Sequence, residues 1–340
     1  MIITPDRSEP WEETAHAFIT AADAGQLDLP LPGHGRTRVR WAALAALAET
    51  DLSLARLGEG HADAIAILGE LGGAPDERGG APGGPGSPVP PHSRWGVWAA
   101  RPPGPSLSAE QRDGRWWLDG TKQYCSGARV CTHALVTADA TDGVRLFAVR
   151  TSEDGVRPIP GSWPAVGMAG SDTLDVRFWH VPGEPVGPPG GYTARPGFWH
   201  GGCGVAACWY GGALGVARPL LAAGRERDLG PHAFAHLGAV DIGLRTVAAA
   251  LDQAADEIDD DPLDHKEAAA RRTLRLRTLT ENVAAHTLTR VGRALGAAPL
   301  GHDAGHARRA ADLMVYLRQH HAERDLEQLG RLVAREGSSW

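Results

Sequence analysis

Lysine is nearly missing from this 340-residue chain: of 34 basic residues only Lys122 and Lys266 are not arginine. Acidic residues outnumber basic ones, 41 to 34, and the formal net charge is -7. That balance excludes nucleic acid as the main partner, because phosphate binding needs a basic face. Phe and Tyr are scarce, at 5 and 4, against 11 Trp. The four cysteines, Cys125, Cys131, Cys203 and Cys208, form no C-x-x-C pair, which excludes a zinc ribbon or a thioredoxin-type motif. No apolar run reads as long enough for a membrane span. The opening residues lack the basic-then-apolar order of a secretory signal, so the expected setting is the cytoplasm, with the cysteines as reduced thiols.

What is present has three textures. Residues 11–72 read as helical, with Leu54, Leu57, Ala62, Ile65 and Leu68 at helical intervals. From 72 to 91 seven Gly and six Pro make a linker-like run. From Trp95 onward come short strand-like runs, 115–118, 134–137, 145–149 and 174–178. Asp119-Gly120, Asp142-Gly143 and Asp154-Gly155 supply turns beside them. After the Gly/Pro-rich 182–191 the chain turns helical again. Leu237, Val240, Leu244, Val247 and Leu251 repeat every three or four residues, and so do Leu279, Val283 and Val291. The expected class is α+β: an N-terminal helical domain (1–94), a small β-barrel-like domain (95–190) and a C-terminal four-helix bundle (191–340). Eight of the 11 Trp fall between residues 95 and 209, which marks the middle of the chain as compositionally separate.

The run Trp117-Leu118-Asp119-Gly120-Thr121-Lys122-Gln123-Tyr124-Cys125-Ser126 resembles the middle β-domain of the acyl-CoA dehydrogenase superfamily, where L-x-G-x-K leads into a flavin-contacting aromatic, apolar and hydroxyl triplet. Trp163, Gly167-Met168, Ser171 and Val176 resemble its W…G-M…S…V pattern, and Arg293-Ala294-Leu295-Gly296 its Q-x-x-G-G turn. The resemblance implies FAD or FMN as cofactor. Tyr124, Cys125, Ser126 and Trp163 would stand near the ring, and Arg293 and Gly296 near the phosphates. It also implies a homodimer or homotetramer, with a flavin reductase as a further partner.

The chain departs from that family where the chemistry is done. Removing a proton α to a thioester takes a carboxylate base. No Asp or Glu lies between Glu184 and Glu226, which empties one family position. At the other, eight residues after Asp312, stands His320. His320 is either a base, at an ordinary pKa near ~6.5, or a core histidine on the apolar face of a helix. Glu323 is a fallback carboxylate, and His200, among aromatic and Gly residues, a second candidate. The T-E-P-x-x-G-S-D loop and the R-x-x-F-G signature are absent. His302 and His306 are four apart, but Asp303 reads as a helix N-cap between them, so no metal site is expected. The run Asp256–Asp261 reads as a solvated helix end. The leading expectation is a flavin-dependent dehydrogenase acting on an acyl thioester or similar small molecule. The alternatives are a reduced-flavin monooxygenase of the same fold and a non-catalytic binding or scaffold member.

Overall fold

Turn chemistry decides how the strands pair. Asp113 and Gly114 take φ of 51° and 78°, the geometry of a tight type I′ turn, and join β2 (Leu107–Arg112) to β3 (Arg115–Cys125). Asp142-Gly143 closes β4 (His133–Ala140) onto β5 (Gly143–Arg150). Asp119-Gly120, expected as a turn, lies inside β3 instead. The register shifts there, and Gly120 at φ 126° lets the Ser106 carbonyl come within 2.4 Å of where a Cβ would stand.

The structure, a computed structural model, describes residues 10–72, 89–104 and 106–336; the expected linker lies, from 73 to 88, outside the described residues. The chain divides into two units. The barrel unit contains Met1–Asp28, Arg56–Ala165 and Ala169–Tyr192. With β1 (Trp95–Trp98), β6 (Val156–Ile159) and β7 (Leu174–Val186), its strands pair β4-β2-β3-β7-β5 and back to β4, closing a barrel. Strand β1 runs parallel beside β4, and β6 flanks β7. Trp98, Leu118, Phe147, Val176 and Phe178 fill the interior. Ala64, Ile67 and Leu68, from the helix Leu52–Leu71, pack on Trp95, Leu135 and Val186 outside it.

The helical unit contains Leu29–Ala55, Val166–Met168 and Thr193–Trp340. With α1 at Pro10–Asp23, α3 at Leu52–Leu71 and the single turn α4 at Gly191–Ala194, the remaining helices are α2 (Thr37–Thr50), α5 (Pro196–Glu226), α6 (Pro231–Asp260), α7 (Ala269–Leu295), α8 (Ala298–His302), α9 (Ala304–Tyr316) and α10 (Glu323–Glu336). Helix α5 is the hub, packed on α2, α6, α7 and α9. Its Gly211 and Gly215 let α2 come in close: a Cβ would stand 2.1 Å from the Ala45 carbonyl at one and 2.5 Å from the Glu49 carbonyl at the other. An N-terminal helix thus belongs to the same unit as the C-terminal bundle.

Two expectations are corrected here. The acidic run ending α6 is not simply solvated. Asp259 accepts hydrogen bonds from the Thr37 N–H, the Thr37 hydroxyl and the Gly35 N–H, so it caps α2 from another helix. Asp256 pairs with Arg38. Second, α5 and α6 are each long and apolar enough to span a membrane by length and composition. The apolar stretch of α5 is 61% buried within the protein and that of α6 is 17% buried. Small residues and interspersed polar ones hid both from a search for unbroken apolar runs.

Candidate functional site

In the barrel unit the end of β3 carries Tyr124, Cys125 and Ser126. A second register shift against β7, between Lys122 and Cys125, breaks the alternation of side chains, and Tyr124 adopts φ 59°. Its backbone N–H donates to Asp175 at 3.4 Å. The Tyr124 ring is 50% exposed and meets Trp163 edge to face, at 6.3 Å and 87°. Cys125 points the other way, into the barrel core, where burial pushes its thiol well above the ordinary range. Its thiol donates to the Lys122 carbonyl. Cys125 therefore offers a ligand backbone atoms and no side chain.

Ser126 is buried and heads a chain of three hydroxyls: 2.9 Å to Thr173 Oγ1, then 2.7 Å from Thr173 to Ser171 Oγ. The Trp98 indole N–H donates to the Ser126 carbonyl. The next turn is strapped to the same segment. Gly127 and Ala128 N–H donate to the Ser171 and Asp172 carbonyls. Buried Asp172 accepts from the Arg129 backbone and guanidinium, and that guanidinium lies 3.7 Å over the Trp11 ring. Thr173, Asp172 and Arg129 were not singled out in the sequence. Their one signal was closeness in sequence to Ser171 and Ser126, and no local pattern reveals that Thr173 meets Ser126 across 47 residues.

Trp98 and Trp209 are fully buried, Trp116 packs on Phe147, and Trp117 stacks on His180 at 4.0 Å. The tryptophan surplus thus goes largely into packing. Trp163 meets the candidate Tyr124, and Trp98 meets the candidate Ser126 through its indole N–H.

In the helical unit His320 is buried, but not on a helix face. Helix α9 ends at Tyr316, a 3-10 turn covers Leu317–Gln319, and His320 follows in extended conformation. The helix face expected to carry His320 ends one turn before it. The Ala322 N–H donates to Nδ1 at 3.2 Å, so the neutral imidazole carries its proton on Nε2 and donates to Thr278 Oγ1 at 3.0 Å. Asp325 lies 3.6 Å from Nε2. Burial lowers the His320 pKa, opposed by Asp325 and helped by Arg277. Trp209 presents its edge to His320 at 6.4 Å and to Tyr316 at 6.3 Å, and the Arg277 guanidinium sits 4.5 Å over its ring.

The other candidates of this unit stand apart from His320. His200 Nε2 donates to the Pro262 carbonyl at 3.0 Å, tying α5 to the α6–α7 connection. Glu323 is exposed in the first turn of α10, where its charge suits the helix dipole. Arg293 is exposed in the last turn of α7, and Gly296 ends that helix at φ 68°. Gly296 also lines an apolar cavity of about 410 Å³ with Leu288, Leu295, Leu300, Met314 and His306. Asp303 caps α9 by accepting from the His306 N–H, as its position predicts. Met168 N–H donates to Asp312, whose carboxyl burial pushes up to about 6.

Residues 103–181 match the acyl-CoA dehydrogenase middle-domain family. No curated protein sequence matches the chain. Among solved structures, dibenzothiophene monooxygenase TdsC from Paenibacillus sp. A11-2, in complex with FMN and indole, superposes with TM-score 0.77 at 18% identity over 97% of each chain. The nitrososynthase of Micromonospora carbonacea var. africana gives 0.76 at 19%, over 94% of this chain and 88% of that one. Methanesulfinate monooxygenase MsuC from Pseudomonas fluorescens gives 0.75 at 16%, over 100% and 99%. The chain has the fold of these solved structures, α+β with a small barrel and a helical bundle, and its residues 103–181 match the acyl-CoA dehydrogenase middle domain.

Proposed function

We propose that this chain is an enzyme that uses reduced FMN to oxygenate a small organic molecule. The carrying observation is its acid–base inventory. Neither carboxylate position of the dehydrogenases is filled, and the imidazole at the second has Nδ1 engaged by Ala322 and its Nε2 proton given to Thr278. An imidazole so held is a hydrogen-bond donor, poorly suited to pulling a proton from carbon. Oxygenation requires no such base. The names of TdsC and MsuC as monooxygenases support the same reading.

The donor set at the end of β3 suits a flavin: a half-exposed Tyr124 ring braced by Trp163, and a hydroxyl at Ser126. Bound reduced flavin supplies the two electrons that activate oxygen. Tyr124, with its half-exposed ring, and Ser126, with its hydroxyl, are the residues that would hold the flavin ring. Arg293 and Gly296, supplied by a neighbouring subunit of a homodimer or homotetramer, would hold the phosphate. FMN is favoured over FAD because the T-E-P-x-x-G-S-D and R-x-x-F-G segments are missing, and because TdsC is bound to FMN. A separate reductase supplies the reduced flavin.

Anaerobic addition of acyl thioesters to the protein reconstituted with oxidised flavin tests the choice of reaction. The flavin is expected to keep its colour; bleaching by a thioester establishes the dehydrogenase instead.

A further inference from the structure

Lys122 is one of two lysines in the chain, and it is 4% exposed. Its position follows from how the barrel closes. Strand β2 begins at Leu107, opposite Gly120, and meets β4 only at Ser108 and Asp139. Residue 122 lies beyond the start of β2, where no strand separates β3 from β4. The ammonium bridges that gap, donating to the Thr137 carbonyl at 2.7 Å and to Thr137 Oγ1 at 2.8 Å. The Thr137 hydroxyl in turn donates a hydrogen bond to the Ala99 carbonyl. An ammonium has three N–H donors, and Thr137 takes two.

No countercharge completes the set. Among the described residues no carboxylate lies within ion-pair distance of Nζ, and Asp139 is closed onto Arg101 at 2.5 Å. Beside the ammonium is a polar cavity of about 110 Å³ lined by Lys122, Gln123, Thr121, Ser106, Arg101 and Asp139. The Gln123 side-chain oxygen is buried without a hydrogen-bond partner. Burial pulls the Lys122 pKa down to about 8, with Arg101 adding to the fall and Cys125 and Asp139 opposing it. A buried cation with an unused donor, no anion and a polar space beside it is electrostatically incomplete.

We propose that this cavity is a binding site for a small oxyanion of formate or acetate size. The Lys122 ammonium supplies the charge and the free N–H. The Gln123 amide, turned to present its NH₂, supplies a second donor. The space exceeds the ~30 Å³ that one water occupies, so a carboxylate of a few heavy atoms fits it. The Arg101–Asp139 pair closes the wall and adds no net charge.

The two-lysine composition makes the test direct. The protein is labelled with a trace of uncharged succinimidyl ester near neutral pH, below the Lys122 pKa of about 8, with sodium formate or with sodium chloride at equal ionic strength. The Lys122 to Lys266 ratio is then read by peptide mass spectrometry. Formate at four times its Kd is expected to lower Lys122 labelling about fivefold, with Lys266 unchanged. Gln123→Glu supplies a tethered carboxylate, so its Lys122 is expected to be protected without formate and indifferent to it. The thermal midpoint provides a second readout: formate raises it over chloride in the wild type and not in Lys122→Met or Gln123→Glu. Inorganic phosphate in place of formate distinguishes a carboxylate site from a phosphate site. Equal labelling and equal midpoints in formate, phosphate and chloride would mean that water alone fills the cavity, and would overturn the proposal.

Discussion

The Ser126 and Thr173 hydroxyls, 47 residues apart, meet at 2.9 Å inside the barrel unit, and Thr173 passes the contact on to Ser171 at 2.7 Å. A buried hydroxyl that loses its partner costs about 1–3 kcal/mol. Thr173→Val keeps the shape and strands both neighbours, so urea unfolding is expected to show a loss of that size. Flavin affinity should fall with it, because Ser126 is no longer held. A variant with unchanged stability would show that the three hydroxyls do not act as a chain.

The packing of α5 on α2 gives a second prediction. A Cβ at position 211 would stand 2.1 Å from the Ala45 carbonyl, and backbone cannot move aside as a flexible side chain can. Gly211→Ala is expected to cost about 1–3 kcal/mol or more, despite alanine's better helix propensity. Gly238, on α6 with open space around it, serves as control: Gly238→Ala should be neutral or stabilising. Equal effects at the two positions would contradict the close approach.

Asp259 caps α2 through three hydrogen bonds from Gly35 and Thr37. Asp259→Ala is expected to lower stability by about 1–2 kcal/mol. Asp260→Ala, one residue on and exposed, should leave the thermal midpoint nearly unchanged. Matching losses at 259 and 260 would restore the reading of this run as a merely solvated helix end.

Acid stability turns on His61 in the barrel unit. Its Nδ1 accepts from the Trp95 N–H, and burial lowers its pKa to about 4. The unfolded chain binds this proton at ordinary histidine pH and the folded chain does not. Stability is therefore full above ~6.5 and is lost as pH falls toward 4, by a few kcal/mol. Asparagine can accept the same N–H and does not titrate. His61→Asn should flatten the acid limb of the stability profile, measured by denaturant unfolding from pH 7 to 4. Parallel profiles would assign the acid loss elsewhere.

The barrel strands and the bundle helices could be read in the sequence because turn pairs and three-to-four residue spacing are local signals. Other features were not legible because their cause is distant. Asp119-Gly120 looks like a turn and becomes a bulge because β7 pairs on its far side. Helix α2 joins the bundle because glycines in α5, more than 150 positions away, leave room for its backbone. Tyr124 and Ser126 were visible by their resemblance to a family motif. Thr173 and Asp172, which hold that segment, were visible only through the fold. His320 was found by counting from Asp312, but a helix break after Tyr316 changed its hydrogen bonds and hence the chemistry open to it.

The central claim, that the end of β3 holds a reduced flavin, is tested most directly by anaerobic fluorescence titration of the purified protein with FMN in each redox state. The wild type is expected to bind reduced FMN more tightly than oxidised FMN, and both affinities should fall about tenfold or more in Tyr124→Ala, the loss of an aromatic contact worth ~1.5 kcal/mol. No binding in either state, or equal binding by wild type and Tyr124→Ala, would contradict the account.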